Sequence, residues 1–418
     1  MSRPMRSQQV RSVSGGWPAG PVAGQWLAWG RWLWAVWFAS AILQTGERQA
    51  NLVRFVPIMR TRSRSVALYA WVVLPALIIG CAPLEHDPHL SRHLSATLHR
   101  RDDQDSVLAA RVIELPGGRE LYAENATAPF VPASNMKLLI TAVGLDTFGP
   151  DFVFKTYLAR SGDDICIVGT GDPGFGDPRI ARWAQEPADA VLQEWACVLA
   201  EAGLDRIRGD LCYDDLFFEA VQIHPSWDPE NLVHWYAAPV SGLNLNDNCI
   251  DVTVRPSADR KTVEYDVQPN GAAVTIINAC TTGIGESSAS IERLPHTDTY
   301  RLAGTVCEEM TLKSKPVTDP GRFVARTFQA VLENSGIQLD GTVRRVVVPR
   351  DDGGAPLDCE ILAVHETTMT DFLRRVNKNS QNLFAECMAK AIGWRWAVQR
   401  GRDEPGSWSN ASVAIREW

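Results

Sequence analysis

The fifteen residues VPASNMKLLITAVGL, 131–145, carry the reading on which the fold depends. Ser134 stands just before an apolar run, and Lys137 follows it at a spacing of three. Residues three apart share a helix face. A helix opening at Ser134 therefore places the seryl hydroxyl beside the lysine amine and leaves the Ser134 backbone N–H in the first turn, without an intrahelical partner. A lysine pushed toward neutrality by desolvation could accept the seryl proton. The same residues also suit an ordinary helix, because serine is a favoured N-cap and a lysine one turn on can lay its stem along apolar surface. Ser-x-x-Lys arises readily by chance in 418 residues, so the spacing alone does not choose between nucleophile and cap.

The chain is long enough, at 45% hydrophobic residues, to bury a large core in two or three domains. A net charge of −8 with no Lys/Arg-rich run gives neither a nucleic-acid surface nor a basic membrane patch, so no nucleic-acid partner is expected.

The first eighty residues differ from the rest: seven of the fifteen tryptophans precede residue 72, and basic charge up to Ser65 is carried by arginine alone. MRTRSRSVALYAWVVLPALIIGC, 59–81, offers a start at Met59, a positive segment of Arg60, Arg62 and Arg64, and an apolar run over 66–79. That is the anatomy of an export signal. Its Ile-Ile-Gly-Cys ending resembles the bacterial lipobox, which implies that Cys81 is lipidated and anchors the chain to a membrane. The alternative is a short buried helix or plain anchor with a chance cysteine, although a spanning helix needs about 20 residues. A second run, WLAWGRWLWAVWFASAIL at 26–43, is long enough to span but contains Arg31. Either it is an extra anchor, or residues 1–58 lie upstream of the true start.

Beyond Cys81 the other eight cysteines show no C-x-x-C spacing, so no zinc or redox site is indicated; disulfides fit an exported protein and buried thiols are the alternative. His86, His89 and His93, in the polar stretch 82–105, lack further ligands at close spacing and read as a tether rather than a metal site.

SVLAARVIEL and RELYAEN, joined by Pro-Gly-Gly, read as two strands and a turn. A helix runs from Ser134 to about Phe148, ended by Gly149-Pro150. The glycines of 169–174 read as a turn, since Asp172-Pro173 opposes the helix start that phosphate binding needs. Residues 187–204 read as helix. Strand-like runs then dominate from 243 to 348: CIDVTVRP, AVTIINAC, TYRLAGTV and VRRVVVP. The stretch 367–394 reads as helix, loop and helix with the break near 377–380.

PASNMKLLITAVGLDTFGPDFVFKT resembles the nucleophile segment of the D-alanyl-D-alanine carboxypeptidase/endopeptidase family of penicillin-binding proteins. GTGDPGFGDP, WYAAPVSGLNLNDNCIDVTVRP and VNKNSQNLFAECMAKAIG resemble further stretches of that family in the same order, and Ser380-Gln381-Asn382 lines up with its Ser-x-Asn motif. The resemblance covers about 106–393. It implies a mixed α/β (α+β) transpeptidase-like core in two parts, 106–160 and 346–418, separated by a strand-rich accessory insertion at 161–345, with Ser134 and Ser380 brought together. Ser134 is then the nucleophile toward the penultimate D-Ala of a peptidoglycan stem peptide, Lys137 the base, Ser380 a proton relay and Asn382 a substrate-binding amide. β-Lactams are implied as inhibitors, and no metal or organic cofactor is required.

The family's third motif, Lys-Thr-Gly, has no match here: the one Lys-Thr, Lys261-Thr262, is followed by Val263. By the resemblance that motif supplies a cation for the substrate carboxylate and an oxyanion donor, whose removal costs roughly 3 kcal/mol elsewhere. The expectation is an incomplete core and impaired activity. Two other readings compete: a non-catalytic envelope lipoprotein that binds peptidoglycan or a partner, and a serine β-lactamase, which the 246-residue separation of Ser134 and Ser380 disfavours.

Overall fold

A computed structural model describes residues 88–99, 107–115 and 117–418. The extension at 1–58, the export signal with Cys81, and His86 lie outside the described residues. The chain divides into two compact units at Phe130/Val131, inside the stretch expected to form the first part of the core.

In the first unit, helix α1 (Pro88–Leu98) occupies part of the stretch expected to be a tether, and His89 and His93 lie on it. The expected hairpin is present: β1 (Ala110–Ile113) runs antiparallel to β2 (Glu120–Glu124), with a register shift at Val112/Ile113. His99 Nε2 lies 3.0 Å from Glu124 Oε1.

The second unit opens with a 3-10 turn, Ala133–Asn135, that passes directly into α2 (Met136–Phe148). Gly149, at φ 83°, ends the helix in a conformation that carries no penalty for glycine. Most positions of α2 are apolar, and Thr141, Val143 and Gly144 are the ones buried in the packing. Its Gly144 meets Met388 so closely that an added Cβ would lie 2.4 Å from the sulfur.

Next come β3 (Val153–Ser161), β4 (Asp164–Gly169), α3 (Pro178–Ala184), α4 (Ala190–Glu201) and β5 (Leu211–Asp214). Strands β6 (Cys249–Pro256) and β7 (Val263–Gln268) pair antiparallel. β8 (Thr275–Thr282), β9 (Ser290–Arg293) and β10 (Thr299–Val306) form a separate sheet in the order β9-β10-β8. After α5 (Pro320–Asn334), strands β11 (Val343–Arg345) and β12 (Glu360–Thr368) lead to α6 (Met369–Asn379), α7 (Asn382–Val398) and α8 (Trp408–Glu417).

The central sheet runs β11-β5-β4-β3-β12, so it draws on all three stretches that the sequence was expected to separate. The expected boundary between 160 and 161 falls inside the β3–β4 hairpin, where Ser161 pairs with Asp164. The region 161–345 is therefore not a separable insertion. One core joins Leu158 and Ile167 of the sheet to Trp195 of α4, Phe328 of α5 and Val252 of β6. Alternating hydrophobicity reports that a strand is half-buried but not which distant strand it joins, and the boundary was missed for that reason.

A second core lies under α6 and α7. Met369, Phe372 and Val376 follow helical spacing along α6 and pack with Phe154, Val143, Phe384 and Met388. Phe154 and Phe372 stack with centroids 4.7 Å apart, and full burial of such a side chain contributes roughly 1.5–3 kcal/mol. This core fixes α2 against α6 and α7. The eight cysteines from Cys166 to Cys387 are free thiols. Among the described residues, no helix is long and apolar enough to cross a membrane.

Candidate active site

Ser134 lies in the 3-10 turn and Lys137 in the first turn of α2, so the three-residue spacing places both on one side. Lys137 Nζ donates to Ser134 Oγ at 3.0 Å. The break between α6 and α7 falls at Ser380, whose φ of 55° turns the chain sharply and presents its hydroxyl to the same point. Ser380 Oγ donates to Ser134 Oγ at 2.9 Å and lies 3.4 Å from Lys137 Nζ. Three polar groups from two distant stretches thus close a hydrogen-bonded triangle.

Burial pushes the Lys137 ammonium below the ordinary lysine range, and the Glu386 carboxylate partly opposes it. The cause is desolvation of the charged form. The backbone carbonyl of Lys137 accepts from Thr141 Oγ1 at 2.9 Å, and Asn377 Nδ2 of α6 donates to that hydroxyl at 3.3 Å. The lysine turn is thereby tied to the helix that ends at Ser380.

A left-handed φ at a residue other than glycine is costly and persists only when its surroundings impose it. At Ser380 they do. Arg375, one turn earlier on α6, is 3% exposed and sits between two carboxylates. Its Nε donates to Asp177 Oδ2 at 2.8 Å and its Nη2 to Asp247 Oδ2 at 2.7 Å. Asp177 also caps α3 through the amides of Arg179 and Ile180. Asp247 is the middle of three consecutive left-handed residues, Asn246, Asp247 and Asn248. Asn248 Nδ2 fixes that turn by donating to Pro239 O and to Asn244 Oδ1, at 2.8 and 2.7 Å. The Arg375 carbonyl then accepts from the Gln381 amide at 3.3 Å, just past Ser380.

Asn382 opens α7 beside this bend, and its Nδ2 donates to Tyr236 O at 2.7 Å. That leaves its Oδ1 as the group able to accept from a ligand. Ser134, Lys137 and Ser380 are thus gathered in one place, with Asn382 two residues further along the chain, whereas Cys81 is outside the described residues. Sequence reasoning missed Arg375, Asp177 and Asp247. The run of Asn and Asp at 244–248 was the available signal, since those residue types tolerate left-handed backbone.

The chain matches, over residues 90–418, a family profile described as the D-Ala-D-Ala carboxypeptidase 3 (S13) family. It is 27% identical over 379 residues to a D-alanyl-D-alanine carboxypeptidase of Actinomadura sp. (strain R39), covering 85% of this chain and 66% of that protein. It is 20% identical over 315 residues to the D-alanyl-D-alanine carboxypeptidase DacB of Haemophilus influenzae, covering 70% and 59%. The fold is similar to the crystal structure of penicillin binding protein 4 (dacB) from Haemophilus influenzae, with a TM-score of 0.55, 18% identity, and coverage of 74% of this chain and 66% of that one. The chain spans about two thirds or less of the length of these relatives.

Proposed function

The chain belongs to the D-Ala-D-Ala carboxypeptidase 3 (S13) family, and from that premise we propose that it is a serine-type D-Ala-D-Ala carboxypeptidase or endopeptidase of peptidoglycan stem peptides. The observation that carries this reading is the triangle in which Ser134 Oγ lies within hydrogen-bond reach of both Lys137 Nζ and Ser380 Oγ.

In the reaction, Ser134 Oγ attacks the carbonyl carbon of the penultimate D-Ala while its proton passes to neutral Lys137. The bond from that carbonyl to the terminal D-Ala nitrogen then breaks, and the leaving amine takes the proton from Lys137 by way of Ser380. A water, deprotonated by the same lysine, hydrolyses the ester, releasing the shortened peptide and returning the proton to Ser134. Asn382 Oδ1 accepts from a backbone N–H of the stem peptide, and the Ser134 N–H donates to the developing oxyanion. A β-lactam enters at the first step: its ring amide opens and the acyl group stays on Ser134.

Fluorescent penicillin tests this reading. Ser134-dependent labelling is the expected outcome, and its absence in a chain that also carries a Lys-Thr-Gly segment would remove the enzymatic reading. The 418 residues contain no Lys-Thr-Gly, so such an extended chain is expected to label faster than this one.

We place the protein outside the cytoplasm, anchored through lipid on Cys81. The support is the Arg-rich start at Met59 and the Ile-Ile-Gly-Cys ending. A palmitate analogue should mark the protein and not its Cys81→Ser variant; labelling that survives the substitution refutes the anchor.

A further inference from the structure

A cleft of about 890 Å³ borders the Ser380 bend, within the size range of small-ligand sites. Asn379 and Gln381, on either side of Ser380, line it, as do Arg375 and Trp235, the neighbour of the Tyr236 carbonyl that accepts from Asn382. The reaction above uses none of these lining side chains. Three side-chain oxygens of the lining, Asn246 Oδ1, Asp247 Oδ1 and Asn379 Oδ1, are buried and have no hydrogen-bond partner among the described residues. Asn246 is 1% exposed, and its orientation is fixed: Nδ2 donates to Cys249 O at 2.9 Å and to Asp251 Oδ2 at 3.2 Å, which leaves Oδ1 as the bare acceptor. Buried acceptors of this kind are rare because leaving them unpaired is costly. The set calls for a ligand rich in donors.

Charge narrows the class of ligand. Within the lining Arg375 neutralises Asp247, and Glu186, Asp189 and Asp251 are matched in number by Arg179, Arg182 and Lys313. Asp189 and Asp251 already accept from Asn270 Nδ2 and Ser314 Oγ. A balanced cleft gives no advantage to an anion or a cation. It offers donors and acceptors together, which suits hydroxyl groups, since each donates once and accepts twice. Trp235 adds an apolar element: it is 42% exposed, and its ring meets that of Tyr236 at 80° instead of stacking on it, so ring surface stays open to the C–H face of a sugar.

We propose that this cleft binds a neutral saccharide, the acetamido-sugar strand of the peptidoglycan whose stem peptide enters at Ser134; that choice of saccharide rests on the function proposed above. Each acetamido group brings an N–H donor beside the ring hydroxyls. An extended stem peptide of about five residues reaches roughly 17 Å, so a cleft that borders the active site can hold the strand while the peptide reaches the serine.

The test is a saturation-transfer NMR titration of the full chain with chitotetraose, a neutral acetamido-sugar tetramer, and with maltotetraose, which has hydroxyls but no acetamido groups. Chitotetraose is expected to bind the tighter of the two. Trp235→Ala and Asn379→Leu should each weaken it about tenfold, the order expected for losing one ring contact or one buried hydrogen bond; should one variant not fold, the other decides. Ser134→Ala should bind it as the parent does. No binding by the parent overturns the proposal, and so does binding that neither substitution weakens. Equal affinity for maltotetraose overturns the assignment to an acetamido-sugar strand. The titration needs no turnover, so a protein that binds chitotetraose but is not acylated by penicillin counts only against the proposed reaction, and acylation without saccharide binding counts only against the cleft.

Discussion

Ser380 Oγ lies 2.9 Å from Ser134 Oγ although 246 residues of chain separate them. Ser380 also lies 3.4 Å from Lys137, and in the reaction we propose the proton bound for the leaving amine passes along this hydroxyl. Ser134→Ala is expected to abolish β-lactam acylation. Ser380→Ala keeps nucleophile and base but removes the relay, and should slow acylation about a hundredfold, the lower range of general acid–base effects. Stopped-flow acylation by a chromogenic cephalosporin measures both, and a Ser380→Ala rate within a few-fold of the parent rules out the relay.

Arg375 should matter to stability more than any exposed charge. Its side chain is 4% exposed and those of Asp177 and Asp247 are 0% and 17% exposed. Arg375→Met leaves two carboxylates facing each other without their cation, a class of change that costs roughly 3–5 kcal/mol. Urea unfolding should show that loss. Arg375→Lys should recover part of it, since an ammonium is a compact point charge without the planar fork that meets both acids. A methionine variant as stable as the parent would mean that the cluster contributes nothing net.

The same cluster has a pH signature. Burial, and then the Asp177 charge, push the Asp247 carboxyl well above its ordinary range, against the pull of Arg375. A carboxyl raised on folding holds a proton in the native state that the unfolded chain has given up, so its contribution to stability is fullest below the ordinary carboxyl range and declines as pH rises through the window above about 3.8. Asp247→Asn lacks this titration. Relative to the parent, the asparagine protein should therefore gain stability between pH 4 and pH 7, by on the order of 1 kcal/mol. Denaturant melts across that interval read the difference, and a difference that runs the other way would show Asp247 to be held ionised by Arg375.

The local elements were legible because their signals are local. Ser134 and Lys137 at a spacing of three, the glycine stop at Gly149 and the break before Ser380 all follow from backbone geometry that acts within one or two turns. The pairing of Ser134 with Ser380 was legible only through the family resemblance, since nothing in either stretch specifies the other. The central sheet was not legible: β11 joins β5 through three residues on each side, too short for a register pattern to show. Arg375 resembled any solvated helix arginine until Asp177 and Asp247 stood beside it.

The order of strands in the central sheet has a consequence in time. During synthesis β3 and β4 emerge early, but β11 and β12, at the two edges, and the Ser380 bend come last. At roughly 5–20 residues per second, Ser134 leaves the ribosome some ten to fifty seconds before Ser380 follows it. Throughout that interval the serine lacks its Ser380 partner, and the α2 turn lacks the brace from Asn377. On the proposed assignment of Ser134 as nucleophile, a nascent chain therefore carries it unarmed, and reactivity toward acyl donors is gained only when the Ser380 bend has arrived to fold beside it.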